Sequence, residues 1–184
     1  MFLAGLILFI GIHILFATAR GVRTTAISTL GEMGYKGVYS LLSLAGLVMI
    51  IRGWPEASTA LLYTPPVWGR TVTIILMLAA SIAIVAAYLP AGRIAGALKH
   101  PMVVGVKVWA FAHLLVNGEV RSVLLFGGFL LFAVVDRIAL KKRGDEGRTS
   151  GLWRNDVLPL AIGVIGFGLT YLYGHQYLAG VALR

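Results

Sequence analysis

No cysteine occurs anywhere in the chain, which excludes disulfides, iron–sulfur clusters and thiolate metal sites. Charge is nearly as scarce. Only 12% of the 184 residues are charged and seven are acidic, whereas a soluble domain carries about a quarter charged residues. With 59% of its residues hydrophobic, a chain this small has no interior large enough to hide its apolar surface. A bilayer removes the difficulty, because lipid accepts outward-facing apolar side chains while helices satisfy their own backbone. The expected fold is therefore an all-α integral membrane protein, a bundle of about six transmembrane helices. The usual catalytic sets are also missing: no Ser/His/Asp triad, paired carboxylates, phosphate loop or His-Glu-x-x-His helix can be assembled.

What is present is a series of six apolar runs, at 1–19, 37–51, 71–89, 102–116, 122–140 and 157–181. The second and fourth are short for a bilayer and extend into their flanks, at Tyr35, Lys36 and Trp54 for the second. No internal repeat, low-complexity segment or linker divides the chain. Ala17-Thr18-Ala19 resembles a signal-peptidase site, but nothing basic precedes the first run, and Arg20 and Arg23 follow it at once. That run reads as a retained helix.

The net charge of +9 does not point to nucleic acid, because the basic residues sit between apolar runs without a basic face carrying aromatic stacking positions. Their distribution fits a membrane orientation instead. Alternate loops hold Arg20, Arg23, Lys36, Arg93, Lys99, Arg137, Lys141, Lys142, Arg143, Arg148 and Arg154, eleven in all. The other loops hold four, Arg52, Arg70, Arg121 and Arg184, and only Lys107 lies inside a run. The positive-inside rule then puts both termini on the outer side of the cytoplasmic membrane. The loop from 141 to about 156 becomes the main cytoplasmic one. Trp54 and Trp68, with Pro65-Pro66 between them, suit the outer interface.

Four histidines, His13, His100, His113 and His175, require an explanation, since an imidazole in a span usually faces the bundle interior. His13 lies about 18 Å along a helix entering from outside, and His113 about 18 Å along one entering from the cytoplasm at Pro101. In a core roughly 30 Å thick, their depths agree to about 6 Å. Two imidazoles at one depth can clasp a metal or a haem iron from opposite faces; the plainer alternative is a hydrogen bond across a helix interface. His100 falls at the cytoplasmic boundary and His175 near the outer one. Pro101 suits a first helical turn, where its missing N–H costs nothing. Gly105 and Trp109 share the His113 face at i−8 and i−4, an open spot beside a flat wall. Gly127 and Gly128 permit close approach by a backbone or a flat cofactor, tight helix packing being the commoner reason. Asp136 most simply pairs with Arg137 or Lys141.

The succession Lys99-His100-Pro101-Met102, Ala112-His113-Leu114-Leu115, Asn117-Gly118, Phe126-Gly127-Gly128-Phe129 and Asp136-Arg137, with Gly11-Ile12-His13 before it, resembles NnrU-domain membrane proteins. The resemblance runs over nearly the whole chain and implies one NnrU-like transmembrane domain, 1–184. That family was named from bacterial denitrification and is similar to the 15-cis-zeta-carotene isomerase of plants and cyanobacteria, a membrane enzyme that uses haem b. The isomerase's axial-ligand motifs fall here on His13 and His113. The resemblance thus implies a haem b protein with iron on His13 and His113, acting on an apolar, lipid-like substrate or on a redox partner. Gly105, Trp109, Phe126, Gly127 and Phe129 would line its slot, and His100 would support a propionate together with Lys99, Arg93 and Arg23. The isomerase's cysteine three residues before the second ligand is Ala110 here, so a thiolate ligand exchange is impossible. Its further histidine at the end of the second helix has no match near 52–54.

Two other classes compete. Lys99-His100-Pro101-Met102 also resembles the Arg-His-Pro-x-Tyr motif of membrane methyltransferases that bind S-adenosylmethionine. Their later paired acids, followed by aromatics, correspond here only to Asp145-Glu146 before Gly147-Arg148-Thr149. The third class is a non-enzymatic assembly factor acting through helix packing. No residue is assigned a catalytic role.

Overall fold

The computed structural model describes residues 1–181 and Leu183, leaving Arg184, one of the four outer-side basic residues, outside the described part. The elements are α1 (Phe2–Thr18), α2 (Arg20–Gly53), α3 (Gly69–Tyr88), α4 (Arg93–Leu98), α5 (Pro101–Leu114), α6 (Val120–Lys142), α7 (Val157–Leu169) and α8 (His175–Ala179). A 3₁₀ turn, Trp153–Asp156, leads into α7, and one π-type turn, Thr170–Gly174, joins α7 to α8. Among the described residues there is no strand, only an isolated antiparallel bridge between Leu61 and Glu119.

The all-α expectation holds. Four stretches are long and apolar enough to cross a bilayer: Arg20–Gly53, Gly69–Tyr88, Val120–Lys142 and the continuous helical run Trp153–Ala179. Phe2–Thr18 and Pro101–Leu114 are shorter apolar helices, and the 14 residues of α5 rise only about 21 Å. Large apolar side chains point outward all along these helices, among them Ile7 at 72% exposure, Leu41 at 68% and Ile75 at 63%. Such surfaces belong in lipid and mark a membrane protein.

Two differences from the expected runs have local causes. The second run is only the later part of α2, which extends back to Arg20 and is broken at Gly31. There φ is 70° and ψ is 167°, a conformation open essentially to glycine alone. The short α4 lies between the third and fourth runs; the side chain of Asp156 accepts the Arg93 and Ile94 amides at 2.9 and 3.0 Å and so satisfies its first turn.

The helices fall into two compact units, Met1–Pro65 with Asn117–Asp145, and Pro66–Val116 with Glu146–Arg184. In the first unit α1 packs on α2 and α6. Gly5 and Gly46 permit this contact: a Cβ on Gly5 would stand 2.8 Å from the Gly46 carbonyl, and one on Gly46 would stand 2.9 Å from the Phe9 nitrogen. Phe2, Leu6, Ile10 and Ile50 form the buried core there, flanked by Phe9, Trp54, Leu125, Phe129 and Phe132. The guanidinium of Arg121 lies 4.8 Å over the Trp54 ring and fixes the loop after α2.

In the second unit α3 is central, with α5 on one side and α7 on another. Thr73 donates to the Ala112 carbonyl at 2.8 Å, and Ser81 donates to the Gly163 carbonyl at 2.9 Å. Gly163 lets Ile82 come so close that a Cβ would lie 2.8 Å from its Cα.

Candidate functional site

His13 sits on α1 one turn after Phe9, and its Nδ1 lies 2.6 Å from the Phe9 carbonyl. A carbonyl only accepts, so Nδ1 carries the proton, and the neutral imidazole presents its lone pair at Nε2. Aromatic rings hold the imidazole in place. Phe9 stacks on it at 4.3 Å between centroids, while Tyr39 and Phe132 both approach to 5.3 Å. Beside it opens a cavity of about 270 Å³ lined by His13, Phe16, Ala17, Arg23, Tyr35, Tyr39, Phe132, Asp136 and Arg143.

The break at Gly31 shapes this cavity. In an unbroken helix, residues 23 and 35 would be about 18 Å apart along the axis. Here the Arg23 guanidinium carbon is 6.0 Å from the Tyr35 ring centroid. Tyr35 and Tyr39, one turn apart, then present their rings to Phe16 at 5.1 and 5.7 Å. Just past the end of α6, Arg143 donates to the Ala17 carbonyl at 2.9 Å and closes the end of α1.

His113 belongs to the second unit and repeats the local chemistry of His13. Its Nδ1 donates to the Trp109 carbonyl one turn back at 2.9 Å, and the Trp109 ring lies 5.3 Å from the imidazole. Trp109 thus forms a wall on the His113 face, as expected. Gly105 does not leave an open spot: a Cβ there would lie 2.6 Å from Ile84 Cγ1 and 3.2 Å from the Ala80 carbonyl. The close approach of α5 to α3 occupies that space. Ala110, where the isomerase has cysteine, is fully buried at 0% exposure.

His100 stands at the start of α5, with Pro101 in the first turn as the sequence suggests. Lys99, just before it, has φ 59° and ψ −52°, and the Leu98 carbonyl accepts the His100 amide at 2.6 Å. This is the rarer, strained hand of γ-turn, and the surrounding chain holds it. Arg148 donates its backbone amide to the Lys99 carbonyl at 2.7 Å. Gly147, at φ 74°, fits against that carbonyl, and a Cβ on it would lie 2.9 Å from the His100 ring.

The remaining expected residues divide. Gly128 packs on α1, where a Cβ would meet Leu6 and Ile10 in ordinary contact at 3.6 Å, whereas Gly127 faces open space. His175 donates Nδ1 to the Val181 carbonyl at 2.7 Å and lies near enough to His113 for the two imidazoles to interact electrostatically. Asp136 lines the His13 cavity, a place the sequence did not assign to it. Tyr35, Tyr39 and Arg143 were missed as site residues. The available signals were the one-turn spacing of the tyrosines and an acid inside an apolar helix.

Among the described residues, no group of three or more His, Asp or Glu side chains can hold a bare metal ion. A haem iron needs only one or two imidazoles, since the porphyrin supplies four nitrogens. The NnrU protein family matches residues 1–183. No curated protein and no solved structure matches the chain.

Proposed function

Because this chain belongs to the NnrU family over residues 1–183, we propose that it is a membrane haem b protein whose iron His13 and His113 would hold. The observation that carries this reading is the common state of the two imidazoles. Each gives Nδ1–H to the carbonyl one turn back, from Phe9 at 2.6 Å or Trp109 at 2.9 Å, and each rests against that residue's ring. Such a bond fixes the tautomer and ring orientation, as partners of iron-ligating histidines do. Aromatic rings hold His13 in place, and the Trp109 ring lies tilted against His113 at 5.3 Å.

When bound, ferrous haem supplies a centre that can lower the barrier to rotation about a conjugated double bond or take up a nitrogen oxide. By the resemblance to the isomerase, the substrate is an apolar polyene lipid, with nitrogen-oxide metabolism and a redox partner as the other branch. The basic asymmetry supports a place in the bacterial inner membrane, with both termini periplasmic and residues 141–156 cytoplasmic.

The visible spectrum of detergent-purified protein tests this. A Soret band with bis-histidine low-spin character is expected, and His13→Ala and His113→Ala should each lose haem or turn five-coordinate, while His175→Ala keeps it. Wild-type spectra in both single variants would overturn the ligand assignment. S-adenosylmethionine binding by calorimetry that disappears in His100→Ala would replace the reading with a methyltransferase.

A further inference from the structure

The cavity beside His13 has a charge pattern that axial ligation does not use. Arg23 and Arg143 bring two guanidiniums, Asp136 brings one carboxylate, and Tyr35 and Tyr39 add two hydroxyls. The lining therefore carries one net positive charge in a chain with the outward apolar surface of a membrane protein. Two guanidiniums face one carboxylate there, so an anion entering the cavity meets a net attraction. The donors suit an oxyanion. The Arg143 guanidinium gives one of its five N–H groups to the Ala17 carbonyl and has others to offer, and guanidiniums pair with carboxylate and phosphate in a fork. Phe16 and Phe132 in the lining give apolar contact to the carbons that adjoin such an anionic group. At about 270 Å³ the space is below the roughly 300–1,000 Å³ of sites that enclose whole small molecules, so it takes the head of a ligand and leaves the body outside.

We infer that this cavity is a subsite for a monoanionic oxyanion carried by an apolar molecule. The chemistry is shared by the phosphodiester of an anionic phospholipid and the propionate of a tetrapyrrole. The cavity belongs wholly to the first unit, so the phospholipid source does not depend on His113 or on iron ligation, while the propionate source rests on the haem proposal.

The test uses delipidated, detergent-purified protein and native mass spectrometry. One arm compares short-chain phosphatidylglycerol with zwitterionic phosphatidylcholine. The other compares iron protoporphyrin IX with its dimethyl ester, whose carboxylates are masked. Preference for phosphatidylglycerol alone identifies a lipid as the source; preference for the free acid alone identifies a propionate. Arg23→Gln, at an exposed position that need not disturb packing, should weaken the preferred anion about tenfold, and Asp136→Asn should tighten it by a similar factor. A circular dichroism spectrum unchanged from wild type establishes that each variant is folded. The inference is overturned if neither arm shows a preference for the anion, or if Asp136→Asn weakens binding. Phosphatidylglycerol selectivity that survives in a His13→Ala variant without haem would separate this site from the ligation reading.

Discussion

Arg148 offers a quantitative check on how the second unit is held together. Its guanidinium donates to the carbonyls of Ala86 at 3.1 Å, Ala87 at 2.7 Å and Leu89 at 2.7 Å, at and just beyond the end of α3. A helix leaves its last four carbonyls without internal partners, and the usual solution is a left-handed glycine after the last turn. Here the residue after α3 is Leu89 in an extended conformation, and an arginine sixty residues later takes over. Each hydrogen bond from a charged donor is worth about 1.5–3 kcal/mol, but the three share one side chain whose partial desolvation subtracts from the total. Arg148→Ala should therefore cost about 2–4 kcal/mol, which for a chain of this length lowers Tm by roughly 5–15 °C. Arg148→Lys should recover less than half of that, because one compact ammonium cannot straddle three carbonyls. Thermal unfolding in detergent, followed by circular dichroism, measures both. If both variants melt within about 1–2 °C of wild type, the guanidinium does not cap α3 and the reasoning fails.

Two further expectations follow from the backbone and from the charges. Gly31→Val places a β-branched residue at φ 70° and ψ 167° and should cost about 1–3 kcal/mol in the same melting assay, with loss of anion selectivity; Gly11→Val, where nothing lies within 4 Å, is the control that should melt like wild type. A C-terminal reporter active only in the cytoplasm should stay silent and one active only outside should give signal; the reverse pattern would reject the orientation drawn from the basic residues.

Much of this protein was legible residue by residue. The all-helical membrane fold follows from composition, because lipid offers no hydrogen bonds and every spanning backbone must satisfy its own. The start of α5 follows from Pro101, and the support of His13 by Phe9 and of His113 by Trp109 follows from the one-turn spacing. These are interactions within a few residues, which the local chain determines. Other features depend on contacts that no window of sequence contains. A glycine is compatible with a straight helix or a break, and the folded chain breaks α2 at Gly31 but runs straight through Gly46, where α1 packs. Gly105 read as an open spot because the sequence does not say that Ile84 fills it. Asp136 read as an acid at the interface, and only its direction on α6 brings it to the His13 cavity. Arg148 read only as a positive charge in a loop. Its role as the cap of α3 arises from a turn that brings its five donors to carbonyls about sixty residues earlier, and only the folded chain supplies that proximity.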